Sequence, residues 1–122
     1  MVEYTAGVSL GGGREGYASL DGIFAALSDM TRRDILRRVA VYRLSVSEIA
    51  KPYDLTIAAI SKHLKVLEHA GFITKRRIGR KHYIYPATTA FKDAAQWLEF
   101  YKSFWESNLD SLKNYTEGGQ DG

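Results

Sequence analysis

Thr56–Gly71, TIAAISKHLKVLEHAG, and the basic run Lys75–Tyr85, KRRIGRKHYIY, follow one another closely and decide the fold of this chain. The first stretch has apolar residues at helical spacing, so it predicts an amphipathic α-helix with a cationic polar face. Gly71 suits the left-handed position that ends a helix. The second stretch alternates on both sides of residues 78–80 and predicts a β-hairpin with cations at and around its tip.

Positive charge is concentrated in the same third of the chain. Residues 56–86 carry seven Lys or Arg residues against Glu68 alone, whereas residues 1–55 are balanced and residues 87–122 have three more acids than cations. The whole chain of 122 residues has a net charge of only +3. A solvated, lysine-rich face is one interpretation of this cluster. The other is an anionic polymer as partner, because clustered cations gain free energy by releasing counterions condensed on phosphate.

Helix signals precede the central stretch. Apolar residues at helical spacing predict one helix over residues 20–27 and a second that begins at Thr31. Ser45 and Glu48 form an S-x-x-E capping box that opens a short third helix, which Pro52 limits.

Thr56 is the predicted N-cap of the fourth helix. Two short strands, residues 74–77 and 81–85, are predicted to follow it. The apolar residues predicted to be buried just before and along the fourth helix are Leu55, Ile57, Ile60, Leu64 and Leu67.

One domain, residues 19–116, is predicted between two flexible tails. Residues 1–18 contain five of the eleven glycines and no apolar periodicity, and residues 117–122 are similar. A long last helix over residues 88–115 has no internal Gly or Pro. The predicted fold class is mainly α with a small β-hairpin.

A helix beside a cationic hairpin is the arrangement with which a winged helix-turn-helix domain reads DNA. The major groove, about 12 Å wide, admits one helix, and the small Ala58 and Ala59 permit close approach. Ser61 and His63 can form hydrogen bonds with base edges or phosphate; a solvated helix residue is the other interpretation of His63, and DNA contact is favoured. The residues predicted to contact DNA are Thr56, Ala58, Ala59, Ser61, Lys62, His63, Lys65, Lys75, Arg76, Arg77, Arg80 and Lys81.

The last helix carries more apolar groups than a core of this size can cover. An ordinary core helix is one interpretation, but a dimer interface is favoured because aromatic residues are enriched at interface cores. Trp97, Tyr101 and Trp105 could also line a cavity for a small apolar effector, but core packing is the favoured interpretation of these three residues. The residues predicted to form a homodimer interface are Phe91, Ala94, Trp97, Leu98, Tyr101, Phe104, Trp105, Leu109 and Leu112.

Two stretches, AALSDMTRRDILRRV and SVSEIAKPYDLTIAAISKHLKVLEHAGFITKRRIGRKHYIY, resemble the ArsR family of bacterial and archaeal transcriptional repressors. The resemblance covers about residues 20–115. It implies a homodimeric winged-helix repressor that binds an operator with dyad symmetry, with residues 57–70 as recognition helix and 75–85 as wing.

The founding members of that family sense thiophilic metals through a Cys-x-Cys pair in the helix before the turn. This chain has no Cys, and its last helix has no His. The resemblance is therefore closer to the metal-independent, cysteine-free branch, and no metal site is predicted.

Other classes find little support in the sequence. There is no G-x-S-x-G motif and no phosphate-cradling glycine loop, so neither an enzyme nor a cofactor is predicted. No transmembrane or secretory segment is predicted, and the absence of Cys is compatible with a cytoplasmic location. The alternatives to a DNA-binding repressor are a winged-helix protein-interaction module without DNA readout and a repressor released by a small apolar effector.

Overall fold

Over the residues that can be described, a computed structural model has five helices and a three-stranded sheet. The structure describes the backbone of residues 13–121 and the side chains of residues 19–115. The predicted class, mainly α with a small hairpin and a long last helix, is confirmed. The elements are α1 (Gly13–Leu27), α2 (Met30–Val41), β1 (Leu44–Ser45), α3 (Val46–Ala50), α4 (Ile57–Ala70), β2 (Ile73–Ile78), β3 (Lys81–Pro86) and α5 (Thr89–Asp121).

Local hydrogen bonds mark the ends of α3 and α4 as predicted. Ser45 Oγ accepts from the backbone N–H of Glu48 at 3.3 Å, and Glu48 Oε1 accepts from the backbone N–H of Ser45 at 2.9 Å, which completes the capping box. Thr56 Oγ1 accepts from the N–H of Ala59 at 3.0 Å. Gly71 ends α4 in the left-handed region, with φ of 94°.

The N-cap of α2 lies two residues earlier than predicted. Asp29, and not Thr31, is its N-cap, and its carboxylate accepts from the backbone N–H of Arg32 at 3.0 Å. That hydrogen bond is the main cause that lowers the pKa of Asp29. Asp29 directly precedes the first helical residue, and its side chain is short enough for the carboxylate to reach a free N–H of the first turn. This explains why Asp29 is the N-cap.

The sheet is antiparallel, with strand order β1–β3–β2. Residues 73–86, the hairpin of β2 and β3, are called the wing below. It turns at Gly79, whose φ of 66° favours glycine. The strand β1 was not predicted, because two residues are too few to show alternation. Its pairing with β3 attaches the wing to the start of α3.

The hydrophobic core joins α1–α4, the sheet and the first turns of α5. Ile60, Leu64 and Leu67 are buried in it, as predicted. Leu55 and Ile57 are not: they are 43% and 52% exposed, so their predicted burial is wrong. Both lie at least three residues before Ile60, the first residue of α4 that reaches the core, and so they project beyond its edge.

Both terminal helices extend beyond their predicted limits. The backbone is already helical from Gly13, so residues 13–18 belong to α1 and not to the predicted tail. At the other end α5 continues to Asp121, six residues past the predicted residue 115. The rest of the predicted first tail, residues 1–12, lies outside the described residues. No helix within the described part is long and apolar enough to cross a membrane.

Helix α5 belongs to the core only at its beginning. Ala90 and Ala94 are buried, and the ring of Trp97 packs edge-on against Phe24 of α1 with centroids 5.6 Å apart. Ala94 is only 6% exposed and therefore cannot serve as the predicted interface residue. The small Ala side chain allows α5 to approach its own domain closely, and this is why it is enclosed there. From residue 102 onward every described side chain is exposed.

Candidate nucleic-acid interface

Helix α4 turns a small and cationic face to solvent. Since Ile60, Leu64 and Leu67 face the core, the residues on the other side of the helix are free to meet a ligand. Of the residues predicted to face outward, five are exposed and two are half-buried. The exposed ones are Thr56, Ala58, Ser61, Lys62 and Lys65, and the half-buried ones are Ala59 and His63.

A cleft of about 240 Å³ separates α4 from β2. Its apolar floor consists of Leu64, Ile73 and Ile84, all three of which belong to the core. Among the described side chains, no acid forms an ion pair with the lysines on its rim. The cleft is therefore a cationic groove to which helix and wing both contribute. Its rim consists of Ser61, Lys62, Lys65, Glu68 and Lys75.

The strand register divides the cations of the wing between two faces. Lys75 is paired with the buried Ile84, so Lys75 and Arg77 lie on the face that turns toward α4. Arg76 and Lys81 lie on the opposite face. Four of the five basic residues predicted as one cluster thus form two groups, and Arg80 lies at the tip between the strands. Lys75 of the first group lines the cleft.

On the outer face of the wing, two arginines lie over the ring of Tyr85, and one of them, Arg43, was missed by the sequence analysis. The guanidinium carbons of Arg43 and Arg76 lie 5.4 Å and 5.3 Å from the ring centroid of Tyr85. Arg43 precedes β1 and is far from the wing in sequence. Only the unpredicted pairing of β1 with β3 brings it there, so no local signal could have revealed it.

The wing tip is braced from within. Arg77 Nε donates to the carbonyl oxygen of Gly79 at 3.1 Å, which holds the turn in shape. Arg80, the next residue, is exposed at the tip. A guanidinium in this position can reach a narrow minor groove, where the negative potential is greatest.

Two arginines of α2 are occupied by helix ends. Arg33 Nη1 donates to the carbonyl of Leu27 at 2.7 Å, at the end of α1. Arg38 donates to the carbonyls of Ile49 and Glu48 at 2.7 Å and 3.1 Å, in the last turn of α3. Cations stabilise the negative end of a helix dipole. These two arginines therefore contribute to the fold.

A polar brace from α2 holds the turn between α3 and α4. The hydroxyl of Tyr53 donates to Asp34 Oδ2 at 2.5 Å, and Arg37 donates to Asp34 Oδ1 at 2.6 Å. The Tyr53 hydrogen bond is the main cause that lowers the pKa of Asp34, followed by that of Arg37. Burial, and then the same hydrogen bond, raises the pKa of Tyr53. Arg38 lies over the ring of Tyr53, 5.3 Å from its centroid.

His63 does not face outward as the sequence analysis expected. Its side chain is 21% exposed and lies on the edge of α4 that faces the junction of α1 and α2. Its Nδ1 atom is 3.2 Å from Arg32 Nη1 and 3.9 Å from Asp29 Oδ1. Its partner, Arg32, is 31 positions away along the chain. Periodicity within α4 cannot indicate such a contact.

Within the described part of the chain, no three His, Asp or Glu side chains come close enough to hold a metal ion. The chemistry available at this surface is the binding of anions by lysine and arginine. Helix α3, the turn after it and α4 form a helix-turn-helix, in which α4 has an exposed cationic face and adjoins a basic wing. These features define the class of winged helix-turn-helix DNA-binding proteins.

Known proteins identify the family within this class. The family model of a helix-turn-helix domain matches residues 27–76. The chain is 47% identical over 68 residues to the uncharacterized HTH-type transcriptional regulator YuzN of Bacillus subtilis, covering 49% of this chain and 73% of that protein. It is 32% identical over 79 residues to the transcriptional repressor SdpR of the same organism, covering 65% of this chain and 88% of SdpR.

A solved structure agrees over most of the fold. The ArsR-like transcriptional regulator from Rhodococcus sp. RHA1 is 31% identical and superposes with a TM-score of 0.74, covering 84% of this chain and 94% of that one. The chain belongs to the ArsR family and is a DNA-binding transcriptional regulator.

Proposed function

We propose that the protein is a homodimeric repressor that binds a duplex operator with dyad symmetry. Helix α4 enters the major groove, and the wing lies over the adjacent phosphates and minor groove. Identity to SdpR, which is named a transcriptional repressor, supports repression as the mode of regulation. The residues proposed to contact DNA are Thr56, Ala58, Ala59, Ser61, Lys62, Lys65, Lys75, Arg76, Arg77, Arg80 and Lys81.

The cationic cleft between α4 and β2 carries this proposal. When a helix occupies the major groove and a wing the minor groove, the sugar-phosphate ridge between the two grooves must pass between helix and wing. Lys62 and Lys65 approach this space from the helix, and Lys75 approaches it from the strand. Unpaired ammonium groups at that place gain free energy when they displace counterions from phosphate.

The exposed apolar face of α5 supports the dimer. Aromatic and aliphatic side chains recur along it at Phe91, Leu98, Trp105 and Leu112, each seven residues from the next and each 47–61% exposed. Burial of such a row against a second copy would remove a large apolar area from water. Two recognition helices about 34 Å apart would then meet successive major grooves. The other residues proposed for this interface are Trp97, Tyr101, Phe104 and Leu109.

Trp97, Tyr101 and Trp105 line an open groove along α5, where a small apolar effector could bind. We assign this groove to the partner subunit instead. The apolar face continues beyond the groove through Leu109 and Leu112, which is too long for a small molecule to cover.

Selection from random duplexes, followed by affinity measurement at two salt concentrations, tests the proposal. The selected sites should show dyad symmetry, and affinity should fall steeply with salt, by a log–log slope of about −0.9 for each phosphate contact. Sites without a dyad would contradict the dimeric mode of binding. Affinity that does not change with salt would contradict the cationic cleft.

Two lysines of the wing provide a matched comparison, because Lys75 borders the cleft and Lys81 lies on the outer face. Lys75→Ala should reduce the magnitude of the salt slope by about one and weaken all duplexes similarly. Lys81→Ala should have a smaller effect, and Lys92→Ala, on the polar side of α5, should have none. Equal losses for Lys75→Ala and Lys92→Ala would show that the cleft does not bind phosphate.

A further inference from the structure

His63 lies on the recognition helix but is turned away from the surface proposed to meet DNA. It is half-buried at the edge where α4 faces the junction of α1 and α2. Its Nδ1 is 3.2 Å from Arg32 Nη1. A guanidinium has donors and no acceptor, so Nδ1 must accept this hydrogen bond. The ring then carries its proton on Nε2 and is neutral.

Arg32 is itself held firmly by α1. Its Nε donates to the carbonyl of Ala26 at 2.8 Å, and its Nη2 donates to the carbonyl of Ala25 at 3.0 Å. These carbonyls lie in the last turn of α1, and that of Ala25 also accepts from the backbone N–H and the hydroxyl of Ser28 at 3.1 Å and 2.6 Å. The planar guanidinium is therefore fixed by two bonds, and its remaining donor, Nη1, is directed at His63. Arg32 thus connects the end of α1 to the recognition helix.

Such a bond matters because the other contacts of α4 with its domain are mostly apolar. Ile60, Leu64 and Leu67 anchor the helix through burial, which is non-directional and permits rotation about the helix axis. A rotation of about 20° moves the outer side chains by about 2 Å, given a helix radius of about 5–6 Å with its side chains. That displacement exceeds the tolerance of a hydrogen bond to a base edge.

We infer that Arg32 and His63 form a clamp that sets the rotation of α4, and that both are positioning residues for sequence-specific DNA binding. The inference rests on the proposed function, since it concerns how α4 is presented to an operator. Phosphate contacts, which tolerate displacement, should depend little on the clamp. Base contacts should depend on it strongly, so the clamp affects selectivity more than general affinity.

Asp29 lies beside the clamp. Its Oδ1 atom is 3.9 Å from the same Nδ1, which is too long for a hydrogen bond, and it is the N-cap of α2. Arg32, at 3.2 Å, is therefore the partner that fixes the ring, and the carbonyls of α1 hold Arg32 in place.

Two substitutions of His63 separate positioning from folding. His63→Asn places an amide oxygen near the position of Nδ1 and keeps an acceptor for Arg32, whereas His63→Leu keeps bulk and removes the acceptor. Affinities are measured for a duplex selected by the wild-type protein and for a scrambled duplex of equal length. His63→Leu should lower affinity for the selected duplex about tenfold and for the scrambled duplex by less than about twofold. His63→Asn should retain most of the discrimination.

A second substitution addresses the donor. Arg32→Lys keeps the positive charge but replaces the planar fork of three nitrogens by a single nitrogen, which cannot reach the same three acceptors. It should therefore reduce discrimination in the same way as His63→Leu. Thermal melting of each variant shows whether it folds. If His63→Leu does not fold, Arg32→Lys and the ¹⁵N shifts below still decide the matter.

The side-chain ¹⁵N shifts of His63 provide a readout that a purely structural role would not change. They should show the Nε2–H form, in which Nδ1 is free to accept from Arg32.

Several outcomes would overturn the clamp. They are an Nδ1–H form of His63, equal losses for the selected and scrambled duplexes in His63→Leu, and a loss of discrimination in His63→Asn as large as that in His63→Leu. A wild-type protein that does not discriminate at all would overturn the proposed function, and the role of the clamp with it. A discriminating wild-type protein with unaffected variants would overturn the clamp alone.

Discussion

Two isoleucines in the first turns of α4 contribute very differently to stability. Ile60 is fully buried, whereas Ile57 is 52% exposed. Ile60→Ala should lower the free energy of unfolding by about 2–5 kcal/mol, because it leaves a cavity in the core. Ile57→Ala should lower it by less than about 1 kcal/mol. Urea denaturation followed by circular dichroism measures both, and comparable losses would contradict the burial described for α4.

Two glycines should respond to the same substitution with opposite signs. Gly71 has a φ of 94°, and an added Cβ would be strained there although its neighbours leave room at 3.6 Å. Gly71→Ala should therefore destabilise the protein by about 1 kcal/mol. Gly22 lies inside α1 with open space around it, so Gly22→Ala should stabilise by about 0.5–1 kcal/mol. Thermal melting of the two variants should show shifts in opposite directions.

Most residues whose partners are near in sequence could be predicted, although the N-cap of α2 at Asp29 was not. The caps at Ser45 and Thr56 and the left-handed Gly71 each depend on atoms a few positions away, and the structure confirms all three. His63 depends on Arg32, which lies on another helix. Its role could not be predicted, since helical periodicity indicates which edge of a helix a residue occupies but not which element lies beside that edge.

At the scale of elements, the brace between α2 and the turn before α4 should make stability depend on pH. The hydrogen bond from Tyr53 lowers the pKa of Asp34 below its ordinary value. A lowered pKa adds stability that is present above the ordinary carboxyl range and is lost as the pH falls through the folded-state pKa. The free energy of unfolding should therefore decrease from about pH 5 to about pH 2.

Asp34→Asn should reduce this slope because it removes the titrating carboxylate, and Tyr53→Phe should reduce it because it removes the hydroxyl that donates to that carboxylate. Part of the slope should remain, since Asp29 and Glu48 also have lowered pKa values. Urea denaturation at a series of pH values measures the effect. A slope that is unchanged in both variants would show that the brace does not contribute to acid unfolding.

Elements differed in how far they could be predicted. The wing and α4 have strong local patterns, and both were predicted nearly to their ends. The strand β1 forms only because β3 lies beside it, and its pairing also brings Arg43 to Tyr85. The division of the wing cations between two faces likewise required the register of the strands, which a count of charges cannot supply.

For the whole molecule, the apolar face of α5 predicts self-association. Trp105→Glu should shift the protein toward monomer at micromolar concentration without unfolding it, because Trp105 is 58% exposed within one chain. Glu106→Gln, at the adjacent exposed residue, is the matched control and should associate as the wild-type protein does. Sedimentation equilibrium measures both. A wild-type protein that remains monomeric would contradict the dimer.

The excess of apolar residues on α5 could be recognised from the sequence, but the point at which the helix leaves its own core could not. That point depends on Phe24 of α1, which meets Trp97 and lies far from it along the chain. Ala94 illustrates the consequence, because its helical position suits an interface while its neighbours in space enclose it.

The length of α5 has a consequence for the amount of protein in a cell. A helix of 33 residues extends about 50 Å, and from residue 102 onward every described side chain is exposed. The part of α5 from residue 102 onward is about five turns long, and a helix of that length is only marginally stable as an isolated segment in water. Its folding would therefore be completed by the arrival of a second chain, so that helix formation, association and operator occupancy rise together with protein concentration. The abundance of the regulator would then itself act as a signal, and a modest change in its synthesis could alter repression without any ligand.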